Sequence, residues 1–257
     1  MNLLAIGDVV GAAGCDHLRA HLPALKRHYH ADVTIVNGEN AAEGNGITPG
    51  AADHIFQSGA DVITGGNHSF RRREIYDRLE RDDFLLRPAN YPDSAPGRGL
   101  CVLDLGRCLV GVINVMGEVY LPATRSPFET ADRMVAQAKE AGCRLIVVDL
   151  HAEATSEKLA LGYYLDGRVT AVVGTHTHVP TADARLLPGG TAYITDLGMC
   201  GPAESVLGVK KEQSIALMKD KLPVRFETAP GPCRLDGVCV TADPATGLAT
   251  AIEAFSA

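Results

Sequence analysis

The sequence lacks the cysteine pattern of a disulfide framework or of a cysteine zinc site. Its seven cysteines are an odd number, they are scattered along the chain, and no two form a C-x-x-C pair. Disulfide-rich secreted domains and cysteine zinc sites both need paired, regularly spaced cysteines. We therefore expect reduced thiols and a cytoplasmic protein.

The sequence also lacks an excess of basic over acidic residues, and it lacks long apolar runs. Lysine and arginine together number 24, against 31 aspartates and glutamates, and the formal net charge is −7. A chain this acidic does not carry the basic face of a duplex-binding protein, so we expect no duplex nucleic acid partner. No apolar stretch approaches the roughly 20 residues of a membrane span, and the N-terminal segment has no basic start. We expect neither a membrane segment nor a signal peptide.

Three catalytic or nucleotide-binding motifs are absent as well. The glycines at 7, 11 and 14 match neither G-x-G-x-x-G nor G-x-x-x-x-G-K-[ST], which argues against a nucleotide-cofactor loop. No G-x-S-x-G elbow occurs, so a serine hydrolase of that type is excluded. One compact basic cluster, Arg71-Arg72-Arg73, is present, and we interpret it as the solvated first turn of a helix rather than as a phosphate contact.

What the chain does contain is an alternation of apolar, β-branched runs with amphipathic stretches. The apolar runs predict buried strands over Leu3–Ile6, Val33–Val36, Val62–Ile63, Leu109–Ile113, Leu145–Val148, Ala171–Val173 and Ala192–Ile194. Helical spacing predicts helices over Asp16–His28, with Asp16 as the N-cap, and over Glu129–Ala141 and Lys210–Asp220. Two alternating runs, Arg234–Thr241 and Leu248–Phe255, predict a C-terminal β-hairpin. We expect an α/β architecture in a single domain over residues 1–257.

Polar side chains follow five of these predicted strands. They are Asp8, then Glu39 and Asn40, then Asn67 and His68, then Asp149 and His151, and finally His176 and His178. A single aspartate after a strand is more often a helix cap, and a single histidine is more often a structural group. Ligands of open α/β sheets, however, bind beyond the carboxyl ends of the strands. If His176 and His178 lie in extended backbone, they project to the same side, and the joint pattern then predicts a metal site.

These residues, in this order, resemble the sequence blocks of calcineurin-like metallophosphoesterases. The blocks D-x-H, G-D-x-x-[DE], G-N-H-[DE], H and G-H-x-H correspond to Gly7-Asp8, Gly38-Glu39-Asn40, Gly66-Asn67-His68, His151 and Gly174-Thr-His-Thr-His178. Longer phrases such as Asn37-Gly-Glu-Asn-Ala-Ala, His151-Ala-Glu-Ala-Thr-Ser-Glu-Lys and Ala192-Tyr-Ile-Thr-Asp-Leu-Gly-Met resemble the YmdB-like subfamily of bacterial phosphodiesterases. The chain departs from the general pattern at Val10, where a histidine is usual, at Glu39 in place of aspartate, and at Ser69 after His68.

The resemblance implies a layered αββα sandwich with two metal ions, iron or manganese. It implies that Asp8, Glu39, Asn40 and His178 hold one metal, that Glu39, Asn67, His151 and His176 hold the other, and that Glu39 bridges them. A ligand set of carboxylate, amide and imidazole is also suited to cobalt or zinc. A hydroxide bridging the metals would attack phosphorus, and His68 would be the general acid. Asp149 and Glu153 flank His151, where either carboxylate could orient an imidazole, and we expect structural roles for both.

The implied substrate is a small phosphodiester, with 2′,3′-cyclic nucleotides as the class. Two divalent ions would outweigh the negative charges of Asp8, Glu39 and a bridging hydroxide, so the site could hold an anionic diester in an acidic protein. A phosphomonoesterase using the same site and a regulatory metalloprotein that binds a phosphorylated ligand remain as alternatives. A metal-dependent amidohydrolase in a TIM barrel is disfavoured, because its H-x-H pair belongs to the first strand. The sequence does not exclude a homo-oligomer.

Overall fold

A computed structural model describes residues 1–122 and 125–257, and within them thirteen strands and six α-helices follow one another. The strands are β1 Asn2–Ile6, β2 Asp8–Val9, β3 Val33–Asn37, β4 Val62–Thr64, β5 Leu100–Asp104, β6 Leu109–Met116, β7 Leu145–His151, β8 Ala171–Thr175, β9 Arg185–Leu186, β10 Ala192–Ile194, β11 Met199–Pro202, β12 Cys233–Asp243 and β13 Leu248–Ser256. The helices are α1 Gly11–His28, α2 Pro49–Ser58, α3 Tyr76–Arg81, α4 Pro127–Glu140, α5 Thr155–Leu165 and α6 Lys211–Asp220. A 3-10 turn, Arg73–Ile75, precedes α3.

The strands form two sheets. The first has the order β2-β11-β12-β1-β3-β4, with β13 also paired to β12, and the second has the order β5-β6-β7-β8-β10-β9. In the first sheet β1, β3 and β4 run parallel, and in the second sheet β6, β7, β8 and β10 run parallel. Parallel strands in register bring their carboxyl ends to one edge, so the residues that follow them are placed side by side.

Alternation along β1 shows why the two sheets stack between layers of helices. Leu3 and Ala5 belong to a core that also contains apolar residues of β6, β7, β8 and β10, so they pack between the sheets. Leu4 and Ile6 point the other way and pack with apolar residues of α1 and α2. A third core joins the outer face of the second sheet to α4 and α5. The four layers confirm the predicted αββα sandwich, and the period-two pattern of the strand is its physical cause.

The structure confirms one predicted element near the C-terminus and corrects another near the N-terminus. The C-terminal hairpin is confirmed, since β12 and β13 pair antiparallel from Asp236↔Ser256 to Asp243↔Leu248. The N-cap prediction for Asp16 is wrong, because α1 begins at Gly11 and Asp16 lies inside the helix. The early start depends on small residues: a Cβ on Gly14 would lie 2.3 Å from the Cys200 carbonyl oxygen, so only glycine lets the first turn of α1 rest on β11.

Helix α2 was not among the predicted helices, although its boundaries carry recognisable signals. The hydroxyl of Thr48 accepts a hydrogen bond from the Ala51 amide at 3.1 Å, and Pro49 occupies the first helical position. Gly59 closes the helix in the left-handed conformation, with φ of 112°. A threonine cap, a proline start and a glycine stop are a standard sequence signature of a short helix. Among the helices of residues 1–122 and 125–257, none has the length and apolar character that crossing a membrane requires.

Candidate active site

The polar residues predicted at the strand ends converge where the two sheets meet. Asp8, Glu39, Asn40, Asn67 and His68 come from the first sheet, and His151, His176 and His178 come from the second. A continuous chain of short contacts joins all eight: Asp8–His178 3.5 Å, His178–Asn40 3.2 Å, Asn40–Glu39 2.9 Å, Glu39–His68 2.9 Å, Glu39–His151 3.3 Å, His151–Asn67 2.9 Å and His151–His176 3.1 Å. The structure therefore brings together every residue predicted for the site.

Glu39 lies at the centre of this group and is fully buried. Its carboxylate accepts hydrogen bonds from the backbone amide of His68 at 2.9 Å and from the side-chain amide of Asn40 at 2.9 Å. Burial raises the pKa of Glu39, but the charge and hydrogen bond of His151, followed by those of His68, outweigh burial and hold the pKa well below its usual range. Glu39 is consequently an ionised carboxylate between the two sheets.

The orientation of His151 is set by a hydrogen-bonded relay inside the second sheet. The Thr175 hydroxyl donates to the Asp149 carboxylate at 2.7 Å, so its oxygen is free to accept from Nδ1 of His151 at 3.0 Å. With a proton on Nδ1, the other ring nitrogen, Nε2, faces the Glu39 carboxylate. Burial lowers the pKa of His151, but the Glu39 charge and hydrogen bond overcome this effect and raise the pKa to about 9. Metal binding at Nε2 would displace the proton held there.

Asp149 supports His151 through the Thr175 hydroxyl, which is the orienting role rather than the structural role expected for it. Burial raises the pKa of Asp149 to about 6, against the hydrogen bonds it accepts from Thr64, Thr175 and Asn37. Glu153 likewise contacts an imidazole, that of His176 rather than His151, because its Oε2 lies 3.0 Å from Nε2 of His176. Both carboxylates thus orient imidazoles, the first through Thr175 and the second directly.

The turn that carries His176 and His178, residues 175–178, is not extended. His176 has φ of 103° and His178 has φ of 64°, so the premise that the two side chains project together from extended backbone is wrong. Non-glycine residues at positive φ are uncommon and persist where the surrounding structure fixes them, often at functional sites. The pair reaches the site through this strained turn rather than through the alternation of a strand.

A buried ion pair holds the 175–178 turn in place. The Lys158 ammonium of α5 donates to the Asp196 carboxylate at 2.7 Å and to the Thr175 carbonyl at 2.8 Å. The same Asp196 carboxylate accepts the backbone amide of Thr177 at 3.0 Å. Both ionic side chains are buried, with exposures of 1% and 0%. Two elements distant in sequence therefore fix the conformation of the turn.

Each histidine of the turn has one ring nitrogen committed as a donor. Nδ1 of His178 donates to the Leu207 carbonyl at 3.0 Å, which leaves Nε2 facing Asp8. Nε2 of His176 donates to Glu153, which leaves Nδ1 facing Nε2 of His151 at 3.1 Å. These two nitrogens form a hydrogen bond only with a proton between them, and a cation bound there would take the place of that proton.

Several features of the site suit a bound cation. Ligand atoms of Glu39, His151 and His176 all lie within 4.8 Å of one another. Oδ1 of Asp8 is buried and has no hydrogen-bond partner among the described residues. Gly66 keeps space open, since a Cβ there would lie 2.3 Å from Oε2 of Glu39. Buried acceptors without donors are costly unless a positive charge satisfies them, so the residues present fit a metal.

The two asparagines present different atoms to this site. Oδ1 of Asn67 lies 2.9 Å from Nε2 of His151, in the place expected of a ligand oxygen. Asn40 turns Nδ2 toward His178 and Oδ1 toward His68. A ligand role for Asn40 beside His178 requires its amide oxygen and nitrogen to exchange places.

His68 is placed at the boundary between the buried cluster and a cavity. Its Nδ1 lies 2.9 Å from Oε1 of Glu39 and 2.9 Å from Oδ1 of Asn40, and one quarter of its side chain is exposed. No described residue forms a hydrogen bond with its Nε2. Because both neighbours of Nδ1 are oxygens, Nδ1 bears a proton, and Nε2 is the nitrogen available to a substrate.

The cavity above the site has a volume of about 1080 Å³. Glu39, His68, His176 and His178 form its floor, and residues between 206 and 227 form much of its wall. The sequence analysis did not predict this wall, because its position depends on how the chain between residues 206 and 227 folds back toward the site. Arg71 and Arg72 also line the cavity, whereas Arg73 begins the 3-10 turn, so the interpretation of the arginine cluster as a solvated turn holds only in part.

Comparisons with known proteins identify the family of this chain. The family model described as "YmdB-like protein" matches residues 4–255. A 2′,3′-cyclic-nucleotide 2′-phosphodiesterase of Bacillus subtilis (strain 168) is 49% identical over 253 residues, covering 98% of this chain and 96% of that protein. A crystal structure of a novel phosphatase from Mycoplasma pneumoniae superposes with a TM-score of 0.94 at 36% identity, covering 100% of this chain and 93% of that one.

A more distant structural relative supports the fold alone. A 5′-nucleotidase precursor from Thermus thermophilus superposes with a TM-score of 0.61 at 16% identity, and the match covers all of this chain and 54% of that one. The predicted resemblance is confirmed by the family model, by the Bacillus relative and by the Mycoplasma structure. The chain belongs to the YmdB-like family.

Proposed function

We propose that this protein is a metal-dependent phosphodiesterase that hydrolyses 2′,3′-cyclic nucleotides. The observation that carries the proposal is the convergence of buried ligand-type atoms: Nε2 of His151 and Nδ1 of His176 lie 3.1 Å apart, and Oδ1 of Asp8 has no hydrogen-bond partner among the described residues. The name of the Bacillus relative supports the reaction and the substrate class, and the names of the relatives support a phosphoric ester hydrolase. The ligand sets are those implied by the family resemblance: Asp8, Glu39, Asn40 and His178 for one metal, and Glu39, Asn67, His151 and His176 for the other.

The donor set limits the metals that fit. Carboxylate, amide and imidazole groups surround the site, and no cysteine belongs to the cluster of described residues. Such a set suits iron, manganese, cobalt or zinc and does not favour the soft metals that prefer thiolate. The family resemblance favours iron or manganese within that group. When bound, two such ions would polarise the phosphoryl oxygens and activate a water molecule as the nucleophile near neutral pH.

The protein's own side chains hold the proposed metal-binding groups in position. Glu39 is held ionised by the histidines around it and so supplies negative charge at the centre of the site. The Thr175–Asp149 relay and Glu153 keep Nε2 of His151 and Nδ1 of His176 directed at the same point. Ligands fixed by a second set of hydrogen bonds need little rearrangement when a cation binds.

His68 is the residue we assign as the general acid. Hydrogen bonds to Glu39 and Asn40 fix its Nδ1, so the ring can turn little and Nε2 is directed away from the carboxylate. The ring also lines the cavity in which a substrate would lie. A proton on Nε2 would therefore pass to the leaving ribose oxygen.

Metal content and turnover of the same preparations test the proposal. We expect about two equivalents of metal per chain in the parent, and loss of most of it in Glu39→Gln. We also expect kcat/KM for 2′,3′-cyclic AMP to fall by more than about 100-fold, since loss of a ligand should exceed the effect of losing a hydrogen-bonded support. Glu43→Gln is the matched control, because Glu43 lines the same cavity and does not belong to the cluster. A Glu39→Gln protein with full metal and full activity would overturn the proposed centre.

A phosphomonoesterase remains the second candidate, because the Mycoplasma structure is described as a phosphatase. The two activities separate on paired chromogenic substrates, bis-(p-nitrophenyl) phosphate and p-nitrophenyl phosphate. We expect the diester to be the better substrate. A higher kcat/KM for the monoester would favour the second candidate.

A further inference from the structure

The wall of the cavity opposite the metal-binding residues comes from one stretch of chain, residues 206–227, which we call the cap segment. It leaves the fold after β11, contains α6 and returns just before β12. Backbone hydrogen bonds close its base: the Lys210 amide donates to the Glu227 carbonyl at 3.0 Å, and the Ala229 amide donates to the Gly208 carbonyl at 2.9 Å. The cap segment is thus a closed loop with a fixed base.

The cap segment presents apolar side chains that contribute to no core. Its residues occur in none of the three hydrophobic clusters, and Ser214 is the one buried residue of α6. Met218 and Phe226 are nevertheless 66% and 42% exposed, and both line the cavity together with Leu207 and Leu217. Large apolar side chains that are exposed inside a cavity indicate a ligand surface rather than packing.

This apolar wall is joined directly to the site. The Leu207 carbonyl accepts the hydrogen bond from Nδ1 of His178, so the base of the cap segment and a predicted metal ligand are in contact. The cavity volume of about 1080 Å³ is at the upper end of the range for small-molecule sites, and a phosphate group alone would leave most of it empty. A substrate whose phosphate lies at the site must therefore extend toward the wall.

We propose that the cap segment binds the nucleobase of the substrate, with the ring of Phe226 stacked on the base and Met218 packed beside it. The inference rests on the proposed function, since it assumes that the phosphodiester lies over Glu39 and its neighbours. The base is the part of a cyclic nucleotide with two flat apolar faces, whereas the ribose and the phosphate are polar. Aromatic stacking holds any base through its face, and a thioether adapts to a planar ring. Phe226 and Met218 are then specificity-determining residues.

A pair of substrates that differ only in the base tests this assignment. The first is 2′,3′-cyclic AMP, and the second is methyl β-D-ribofuranoside 2,3-cyclic phosphate, which has the same reacting group and no base. We expect Phe226→Ala to lower kcat/KM for the nucleotide by about 5- to 150-fold, the usual range for one stacked base. We expect less than a twofold change for the base-free substrate, and recovery of nucleotide turnover in Phe226→Tyr. Equal losses on both substrates, or no loss on the nucleotide, would overturn the assignment.

Leu222 provides a matched control for Met218. Both are 66% exposed apolar residues of the cap segment, but Leu222 does not line the cavity. Met218→Ala should lower kcat/KM for the nucleotide relative to the base-free substrate, and Leu222→Ala should leave that ratio unchanged. Light scattering on the same proteins checks whether the apolar residues join copies of the chain instead. A lower oligomeric mass in Met218→Ala, with unchanged selectivity between the two substrates, would contradict the base-binding role.

A binding measurement separates this inference from the proposed function. The chain contains no tryptophan, so Phe226→Trp introduces a single indole whose fluorescence reports on its own contacts. We expect 3′-AMP to quench this fluorescence and inorganic phosphate to leave it unchanged, while Leu222→Trp responds to neither. If the parent hydrolyses neither cyclic compound but quenching occurs, the proposed function fails and the base site stands. If the parent is active and 3′-AMP does not quench the indole, the base site fails and the function stands.

Discussion

Replacing Gly66 with alanine would place a methyl group among the residues that we propose as metal ligands. The added Cβ would lie 2.3 Å from Oε2 of Glu39 and 2.4 Å from Nε2 of His151, whereas ordinary van der Waals contact begins at 3.4 Å. One or both groups must therefore move by about 1 Å. Gly66 is not among the residues with positive φ, so the backbone itself accepts alanine and the perturbation is confined to the contact.

A displacement of about 1 Å at reacting groups can lower a rate by about 100-fold. We expect Gly66→Ala to lower kcat/KM for a cyclic phosphodiester by at least that factor and to reduce the metal content of the purified protein. Overpacking should also cost about 1–3 kcal/mol of unfolding free energy, which chemical denaturation would measure.

Gly50→Ala is the control for this experiment. Gly50 lies in the first turn of α2, and a Cβ there would meet nothing within 4 Å. We expect full activity and a stability equal to the parent or higher by up to about 1 kcal/mol. Activity of Gly66→Ala within twofold of the parent, with normal metal content, would refute the reasoning that Glu39 and His151 bind one cation beside the space that Gly66 leaves open.

Three further predictions concern the supports of the site and of the fold. Lys158→Met leaves Asp196 buried without its partner, so the free energy of unfolding should fall by about 3–5 kcal/mol, and a loss under about 1 kcal/mol in chemical denaturation would contradict the role of this pair. Thr175→Val removes the hydroxyl that orients His151, so metal affinity should fall about 10- to 100-fold in competition with a chelator, while Thr175→Ser should retain it. Burial raises the pKa of Asp183, but hydrogen bonds from threonine side chains outweigh it and lower the pKa, so its stabilisation is present at neutral pH and lost as the pH falls through the folded-state pKa. In Asp183→Asn the free energy of unfolding should consequently change less between neutral and acidic pH than in the parent, and an unchanged pH slope would count against this.

The sequence pattern was sufficient to predict the α/β class and the strand ends at which the candidate site residues meet, whereas the four layers were implied by the family resemblance. The β-branched runs at 33–36 and 145–148 lie in the central strands β3 and β7, because a strand buried on both faces needs apolar residues throughout. Polar residues directly after such runs can lie only at the edge of the sheet. Glu39 and His151 were predicted from that reasoning, and they meet at 3.3 Å.

Other features required contacts between residues that are far apart in the chain. The N-cap prediction at Asp16 was wrong because the start of α1 is decided by its packing on β11, which local propensity does not contain. The prediction for His176 and His178 identified residues that reach the site but gave the wrong backbone, because the turn is fixed by the distant pair of Lys158 and Asp196.

Features that the sequence predicted and features that required the tertiary structure differ for a physical reason. Hydrophobic periodicity and strand-end polarity are local, and a sequence expresses them directly in the order of its residues. The protonated nitrogen of His178 depends on the Leu207 carbonyl, and the apolar wall of the cavity depends on the path of the cap segment. These features arise from hydrogen bonds and packing across the folded chain, so only the tertiary structure decides them.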